Sequence, residues 1–141
     1  MTNETTIRVR YVETDQMGVV YHSHYLIWIE VGRVELLRQM GFTYKQMERE
    51  DDCYIAVADV KCRYKSPARY DDQIVVRTRL QRVRPSLIHF GYEIRRCSDG
   101  TLLAEGETVH LVTDSGLKKR ALPEKYLRVF RSAVTRAGRA Q

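Results

Sequence analysis

The sequence lacks any long apolar run, since its uninterrupted hydrophobic stretches are only a few residues long. A helix that crosses a bilayer needs about 20 such residues, so no segment is predicted to span a membrane. The first ten residues, MTNETTIRVR, also lack the apolar core of a secretory signal. We therefore expect neither a membrane span nor a signal peptide.

Cysteine is scarce as well. The 141 residues contain three cysteines, Cys53, Cys62 and Cys97, and none of them forms a CxxC pair. An odd and widely spaced set fits neither a disulfide framework nor a structural zinc site. The chain is therefore predicted to reside in a reducing compartment, most simply the cytoplasm.

Several motifs of well-known enzymes are missing. The sequence contains no G-x-S-x-G elbow of a serine hydrolase. It also contains no P-loop, and no G-x-G-x-x-G follows a strand pattern. The HSH at residues 22–24 brings two imidazoles close together but has no nearby cysteine to complete a metal site. No metal is therefore expected.

The net charge of +6 is confined to one end of the chain. Residues 1–113 contain 16 basic and 16 acidic residues, whereas residues 114–141 contain eight basic and two acidic ones. The fold itself is therefore not basic, and a nucleic-acid partner is not expected. The C-terminal excess indicates a solvated helix with a frayed tail, RAGRAQ, or a contact with an anionic partner.

The hydrophobic pattern predicts strands around one long helix. Residues 6–14 alternate between apolar and polar, as in a half-buried strand. Residues 23–40 change to helical spacing, with Ser23 as the N-cap and Gly41 beyond the C-terminus. Gly32, within this helix, either lets a sheet approach closely or has no structural role. Four further strands are predicted at 54–65, with an early bulge or burial on both faces, and at 73–83, 86–97 and 102–113.

These elements predict one α+β domain over residues 1–141, with the four later strands in a meander. Asp99 and Gly100 are typical of a hairpin turn, and Pro123 suits the start of a short helix. A basic C-terminal helix and tail would begin at about residue 117. Because five strands around one helix leave sheet edges open, we expect a homodimer or homotetramer.

An acidic residue lies where the first strand gives way to the helix, within YVETDQMGVVYHSHYLIWIE. A helix start presents unpaired N–H groups that can stabilise an oxyanion. A carboxylate beside them can attack a carbonyl or activate a water molecule. This predicts Asp15 as a catalytic carboxylate, although it could merely cap a turn. Glu13 and Asp15 would point to the same face of an alternating strand, so the alternation does not choose between them.

Residues 11–33, YVETDQMGVVYHSHYLIWIEVGR, resemble the N-terminal motif of the 4-hydroxybenzoyl-CoA thioesterase family, most closely its YbgC-like acyl-CoA thioesterase branch. The shared pattern is D-x-x-G-V-V-Y-H-x-x-Y leading into a helix. Residues 64–78, YKSPARYDDQIVVRT, resemble the second and third strands of the family with their turn. The resemblance covers roughly residues 6–113. It implies the hotdog fold, in which a curved antiparallel sheet wraps around a central helix.

The resemblance implies an acyl-CoA thioesterase, which releases a free carboxylic acid and CoA and requires no metal or redox cofactor. It assigns catalysis to Asp15, as nucleophile or general base, and the oxyanion-binding N–H to His22 or its neighbours. Tyr11 and His22 occupy positions that flank the catalytic acid in YbgC-like members. His24 departs from the Asn of many relatives, which leaves the detail of the helix start open.

CoA is a polyanion at its nucleotide end, so its binding site needs exposed Lys or Arg side chains. The candidates are Arg63, Lys65, Arg82 and Arg84, and the family favours Arg84 because its basic residues often lie near the third-to-fourth strand turn. The acyl group is expected in an apolar pocket between helix and sheet, at a subunit interface.

Two other functions remain open. The chain could be a non-catalytic hotdog module that binds acyl-CoA or another protein. It could also be a thioesterase that acts on acyl groups attached to acyl carrier protein, whose acidic surface would suit the basic C-terminus.

Overall fold

The structure is a computed structural model that describes residues 1–134. Its five strands are β1 (Thr2–Arg8), β2 (Tyr54–Tyr64), β3 (Gln73–Val83), β4 (Leu87–Arg96) and β5 (Leu102–Thr113). Its helices are α1 (Ser23–Gln39), α2 (Tyr44–Asp51) and α3 (Glu124–Ala133), and a 3-10 turn spans Tyr11–Glu13. Within the described residues, no helix has both the length and the apolar character needed to cross a membrane.

The five strands form a single antiparallel sheet in the order β1-β3-β4-β5-β2. The predicted sheet is present, but the predicted meander of four consecutive strands is wrong, because β2 pairs with β5 and not with β3. Residues 65–72 pass the start of α1, where the Val20 N–H donates to the Ala68 carbonyl at 2.9 Å. This crossing delivers β3 to the side of β1.

α1 packs on the face of the sheet that the alternating pattern predicted. The inward side chains of the two central strands are fully buried: Ile74, Val76, Thr78 and Leu80 of β3, and Ile88, Phe90, Tyr92 and Ile94 of β4. Trp28, Ile29, Leu36 and Leu37 of α1 cover them. Burial of each such side chain contributes about 1.5–3 kcal/mol, which makes this layer the main source of stability.

Gly32 lies where α1 comes closest to the sheet. A Cβ atom at this position would clash with Thr78 Oγ1 and would lie 2.8 Å from Val76 Cγ1. The close approach that was one of the two explanations for this glycine is therefore present. Gly41 ends the helix with φ +99° as expected, whereas His22, and not Ser23, occupies the N-cap position and makes no side-chain cap bond.

The predicted strand at residues 6–14 is wrong beyond Arg8, where β1 ends. The Glu13 carboxylate accepts a hydrogen bond from the Arg10 N–H at 2.7 Å, and residues 11–13 fold into the 3-10 turn. The side-chain bond satisfies a backbone donor that a strand would have paired with its neighbour. Tyr11 thereby leaves the sheet.

The helix α2 was not predicted, because its sequence YKQMERED is almost entirely polar and buries only Met47. A signal for it existed: Thr43 precedes Gln46 at capping-box spacing, and Thr43 Oγ1 accepts the Gln46 N–H at 3.1 Å. The strand that follows contains an early bulge, one of the two explanations for its pattern, since the register of β2 shifts between Val57 and Asp59.

α3 begins directly after Pro123, as predicted, but it is more than a solvated helix. Tyr126 and Phe130 are completely buried, and the Tyr126 ring lies 4.7 Å from the ring of Phe42. Arg128 and Arg131 remain exposed on the outer face. The predicted tail, RAGRAQ, lies outside the described residues.

Candidate functional site

The loop before α1 is a short hairpin that carries Asp15. The Asp15 N–H donates to the Val19 carbonyl at 2.8 Å, and the Gly18 N–H donates to the Asp15 carbonyl at 3.0 Å. Gly18 has φ +80°, a conformation that glycine adopts without strain. The D-x-x-G spacing therefore corresponds to a four-residue turn with Asp15 at its first position.

The Asp15 side chain takes part in this turn with one oxygen. Its Oδ1 accepts the Met17 N–H at 2.8 Å and the Val19 N–H at 3.4 Å. The alternative that Asp15 caps a turn is therefore correct for Oδ1. Within residues 1–134, Oδ2 accepts no hydrogen bond. The turn thus orients the carboxylate and leaves one oxygen available for chemistry.

Asp15 opens onto a cavity of about 420 Å³ at the N-terminal end of α1. Three predicted site residues, Asp15, His22 and Lys65, line it together. The other lining residues are Met17, Val19, Val20, Tyr21, Tyr25, Tyr64, Ser66 and Pro67. Sequence reasoning had not assigned Tyr64, Ser66 and Pro67 to the site, because only the crossing from β2 to β3 brings them beside Asp15.

The start of α1 supplies backbone donors beside the same cavity. Tyr21 N–H donates to the Glu13 carbonyl at 2.9 Å, and His24 N–H donates to the Tyr21 carbonyl at 3.0 Å. In the described part of the chain, the N–H groups of His22 and Ser23 make no hydrogen bond. Such N–H groups carry the positive end of the helix dipole and can bind a developing oxyanion.

Two tyrosines hold the helix start in place. The Tyr64 hydroxyl donates to the His22 carbonyl at 3.1 Å, and the Tyr25 hydroxyl accepts the Ala68 N–H at 3.0 Å. Burial raises the pKa of Tyr25, so its hydroxyl stays neutral. Tyr25 also packs on Trp28, with ring centres 4.9 Å apart, and it lines the cavity too.

The structure distinguishes the carboxylates of Glu13 and Asp15, between which the alternating pattern did not choose. Glu13 is 2% exposed and accepts hydrogen bonds from the Arg10 N–H and, at 3.1 Å, from Trp28 Nε1. His24, at the helix start, places Nδ1 4.0 Å from the same carboxylate. Glu13 therefore ties the loop to α1, and Asp15 is the acidic residue that reaches the cavity.

Replacing Glu13 with Gln should lower the free energy of unfolding by about 1–3 kcal/mol. The amide keeps one acceptor oxygen, so either the Arg10 N–H or Trp28 Nε1 loses its partner. Urea unfolding followed by circular dichroism measures the change. Glu50→Gln, on the exposed face of α2, serves as the control and should change stability by less than about 0.5 kcal/mol. Equal stability of Glu13→Gln and the wild type would contradict the role of Glu13 in tying the loop to α1.

Two other predicted site residues lie away from the cavity within one chain. Tyr11 is 74% exposed and packs on Tyr70, with ring centres 5.6 Å apart. Arg84 follows the end of β3, about 35 Å along the strand from the end that adjoins the cavity. Neither residue lines the cavity, and their roles stay predictions. In residues 1–134, no cluster of three or more His, Cys, Asp or Glu side chains could hold a metal ion.

Comparison with known proteins places this geometry in a family. The profile of the thioesterase-like superfamily matches residues 9–135. The chain is 36% identical over 124 residues to YneP of Bacillus subtilis, provisionally named an acyl-CoA thioesterase, covering 88% of this chain and 86% of that protein. It is 32% identical over 126 residues to the acyl-CoA thioester hydrolase YbgC of Escherichia coli O6:H1, covering 89% and 92% of the two chains.

The fold has close counterparts among solved structures. The crystal structure of the hypothetical protein TT1821 from Thermus thermophilus matches with a TM-score of 0.88 and 36% identity, and the match covers 96% of this chain and 99% of that one. The predicted hotdog fold and the resemblance to the YbgC-like branch are thereby confirmed. With a profile match over residues 9–135 and these relatives, the chain belongs to the thioesterase-like superfamily.

Proposed function

We propose that this chain is an acyl-CoA thioesterase, which hydrolyses an acyl-CoA thioester to a free carboxylic acid and CoA. One observation carries the proposal: Asp15 and His22 line the same cavity, and within residues 1–134 neither Asp15 Oδ2 nor the His22 N–H group makes a hydrogen bond. The names of the relatives YneP and YbgC, which specify acyl-CoA thioester hydrolysis, support the same activity.

The chemistry requires only groups that the cavity offers. The thioester carbonyl oxygen would lie against the N–H groups at the helix start, which stabilise the negative charge of the tetrahedral intermediate. Asp15 either takes a proton from a water molecule that attacks the carbonyl carbon, or attacks that carbon itself and forms an anhydride that water then cleaves. In both routes the C–S bond breaks, and the CoA thiolate leaves and takes up a proton. Neither route requires a metal or redox cofactor.

The activity is tested by following free thiol release. The purified protein is incubated with acyl-CoAs of several chain lengths and with aryl-CoAs. We expect turnover of at least one of these thioesters. The same assay with acyl groups on acyl carrier protein separates the carrier-protein alternative, and binding of acyl-CoA without any thiol release would favour the non-catalytic module and contradict the proposal.

The geometry favours CoA over a carrier protein as the acyl donor. The helix α3, which carries basic residues, adjoins the C-terminal end of α1, because the ring of Tyr126 contacts Phe42, three residues after α1 ends. Asp15 adjoins the opposite end of this 17-residue helix, about 25 Å away. A carrier protein bound to the basic face of α3 would therefore dock far from the cavity of the same chain.

Lys65 is proposed to bind a phosphate of CoA at the cavity mouth. Its ammonium group lies 3.7 Å from the Glu105 carboxylate and is half exposed, so it can turn toward a ligand. Replacing Lys65 with Ala should raise KM for acyl-CoA about fivefold and leave kcat nearly unchanged. A surface charge contributes about 1 kcal/mol to binding, equally in the substrate complex and in the transition state.

The control for Lys65 is a truncated thioester without the nucleotide, whose KM should not change. Lys45→Ala, an exposed lysine of α2, is the matched variant and should behave as the wild type. Arg84→Ala, measured in parallel, tests the other predicted CoA contact. An unchanged KM for acyl-CoA in Lys65→Ala would remove Lys65 from the binding site.

The predicted homodimer or homotetramer is retained as a proposal, with the edge of the sheet at β2 as its interface. β2 is an eleven-residue edge strand, and an edge strand of that length presents unpaired backbone groups. A cytoplasmic location is likewise proposed, and it is supported by Cys53, Cys62 and Cys97, which are all free.

A further inference from the structure

Arg33 is a buried cation that pairs with no carboxylate in the part of the chain that the structure describes. It lies on α1 with 7% of its surface exposed, and its hydrogen bonds go to neutral hydroxyls: Nε donates to Tyr44 at 3.0 Å and Nη1 donates to Tyr92 at 3.2 Å. Within residues 1–134 no carboxylate lies within 4.0 Å of its guanidinium group. Because a buried charge without a counter-ion costs several kcal/mol, this network is incomplete in one chain.

The other titratable groups of the network do not neutralise Arg33. Burial raises the pKa of Tyr44 to about 12. Burial, together with the nearby Arg33 guanidinium, lowers the pKa of His110 to about 3. Both side chains are therefore uncharged near neutral pH. The network, which continues from Tyr92 to Thr108 at 2.7 Å, carries the single positive charge of Arg33.

Arg33 lines a second cavity, of about 230 Å³, between α1 and β2. Glu30, one helical turn before Arg33, lines it too. Glu30 is exposed, and in the described part of the chain it makes neither an ion pair nor a hydrogen bond. The cavity therefore has a buried cation and an exposed carboxylate that do not pair with each other. Its remaining lining residues are Leu26, Ile27, Ile29, Val57, Val60 and Thr108.

The surface around this cavity is apolar and wider than the cavity itself. Val57 and Val60 of β2 are 53% and 42% exposed, and Ile27 and Val31 of α1 are exposed beside them. The backbone edge of β2 adds unpaired hydrogen-bonding groups. A small acid filling 230 Å³ would leave most of this surface in water, whereas a protein surface would cover it.

The geometry points to a second copy of this chain as the occupant, with Glu30 of the partner subunit entering the cavity to pair with Arg33. A two-fold axis makes such a contact reciprocal, so the two chains form two equivalent pairs. The same axis sets the two β2 strands antiparallel and covers the exposed valines. The inference rests on the proposed homo-oligomer and adds the ion pair that completes the buried network.

The pair is remote from the candidate catalytic acid, which allows assembly and activity to be measured separately. Arg33 follows His22 by eleven residues of α1, a distance of about 16 Å. Loss of the pair should therefore act first on the association of the two chains.

Glu30→Gln tests the inference, because it keeps the shape of the side chain and removes its charge. Sedimentation equilibrium should show a dissociation constant for the dimer raised by about 30-fold or more, since a buried charge on the partner loses its counter-ion. Glu30 is exposed in the single chain, so circular dichroism should show an unchanged fold. Glu35→Gln is the matched control: Glu35 lies on the same helix but contacts Arg38 of its own chain at 3.4 Å, and association should not change.

A monomeric wild type would overturn the inference, and so would an unchanged dissociation constant in Glu30→Gln. A third contrary result would be that benzoate raises the Tm of the wild type but not that of Arg33→Met. This last result would identify the cavity as a site for small carboxylates. Absence of thiol release with an intact Glu30-dependent dimer would instead contradict the thioesterase proposal and leave the ion pair in place.

Discussion

Asn in place of Asp15 should lower kcat for acyl-CoA hydrolysis by about 100-fold or more and change KM little. The amide oxygen can still accept the N–H groups of Met17 and Val19, so the turn persists. What is lost is the negative charge on the second oxygen, which either attacks the thioester or deprotonates water. The measurement is steady-state thiol release, with the concentration of folded protein matched by circular dichroism.

Asp114 offers a matched control for this experiment. Its Oδ1 accepts the N–H groups of Gly116 and Lys118 at 2.8 and 3.0 Å, the same spacing by which Asp15 accepts those of Met17 and Val19. Asp114→Asn therefore changes an equivalent turn, after β5 and away from the cavity, and kcat should stay at the wild-type value. If Asp15→Asn retained the wild-type rate as well, Asp15 would have no part in the chemistry.

Ala in place of Phe130 should lower the free energy of unfolding by about 3–5 kcal/mol. The Phe130 ring is completely buried, with its centre 6.1 Å from the centre of the Phe42 ring. Truncation leaves a cavity between α3 and the end of α1. Urea unfolding of the full chain measures the loss.

Arg131→Ala is the control for Phe130, because the adjacent side chain is exposed. Its effect should stay below about 0.5 kcal/mol. A loss of less than 1 kcal/mol in Phe130→Ala would mean that α3 behaves as the solvated helix that the charge distribution suggested. A loss of the expected size makes α3 part of the core.

Hydrophobic periodicity predicted the strands that bury one face and expose the other. β3 and β4 bury alternate residues as expected, because one face of each strand meets α1 and the pleat allows no other arrangement. Asp99 and Gly100 form the expected turn, with φ +73° at the glycine. Periodicity did not predict α2, since its one buried side chain is Met47. Its only sequence signal was the cap at Thr43.

The position of Tyr11 shows where periodicity misleads. Alternation placed it on the strand predicted at residues 6–14. In the structure the Glu13 carboxylate accepts the Arg10 N–H, and the chain leaves the sheet before Tyr11. A side-chain hydrogen bond of this kind depends on a geometry that spacing does not encode. The Glu13 carboxylate accepts this bond and that of Trp28 Nε1, which distinguishes it from Asp15, although alternation had left the two equivalent.

The turn at Gly18 and the long helix after it could be predicted from the sequence, because turn and helix formation are governed by neighbours in the chain. The resemblance carried by residues 11–33 was enough to identify the family, and it predicted Asp15 as the catalytic residue. Only the tertiary structure decided that β2 lies beside β5, that Lys65 and Tyr64 join Asp15 at one cavity, and that Arg33 is buried with no counter-ion among residues 1–134. Those outcomes depend on contacts between residues far apart in sequence, whose energies are determined by packing and burial and leave no periodic trace in the chain.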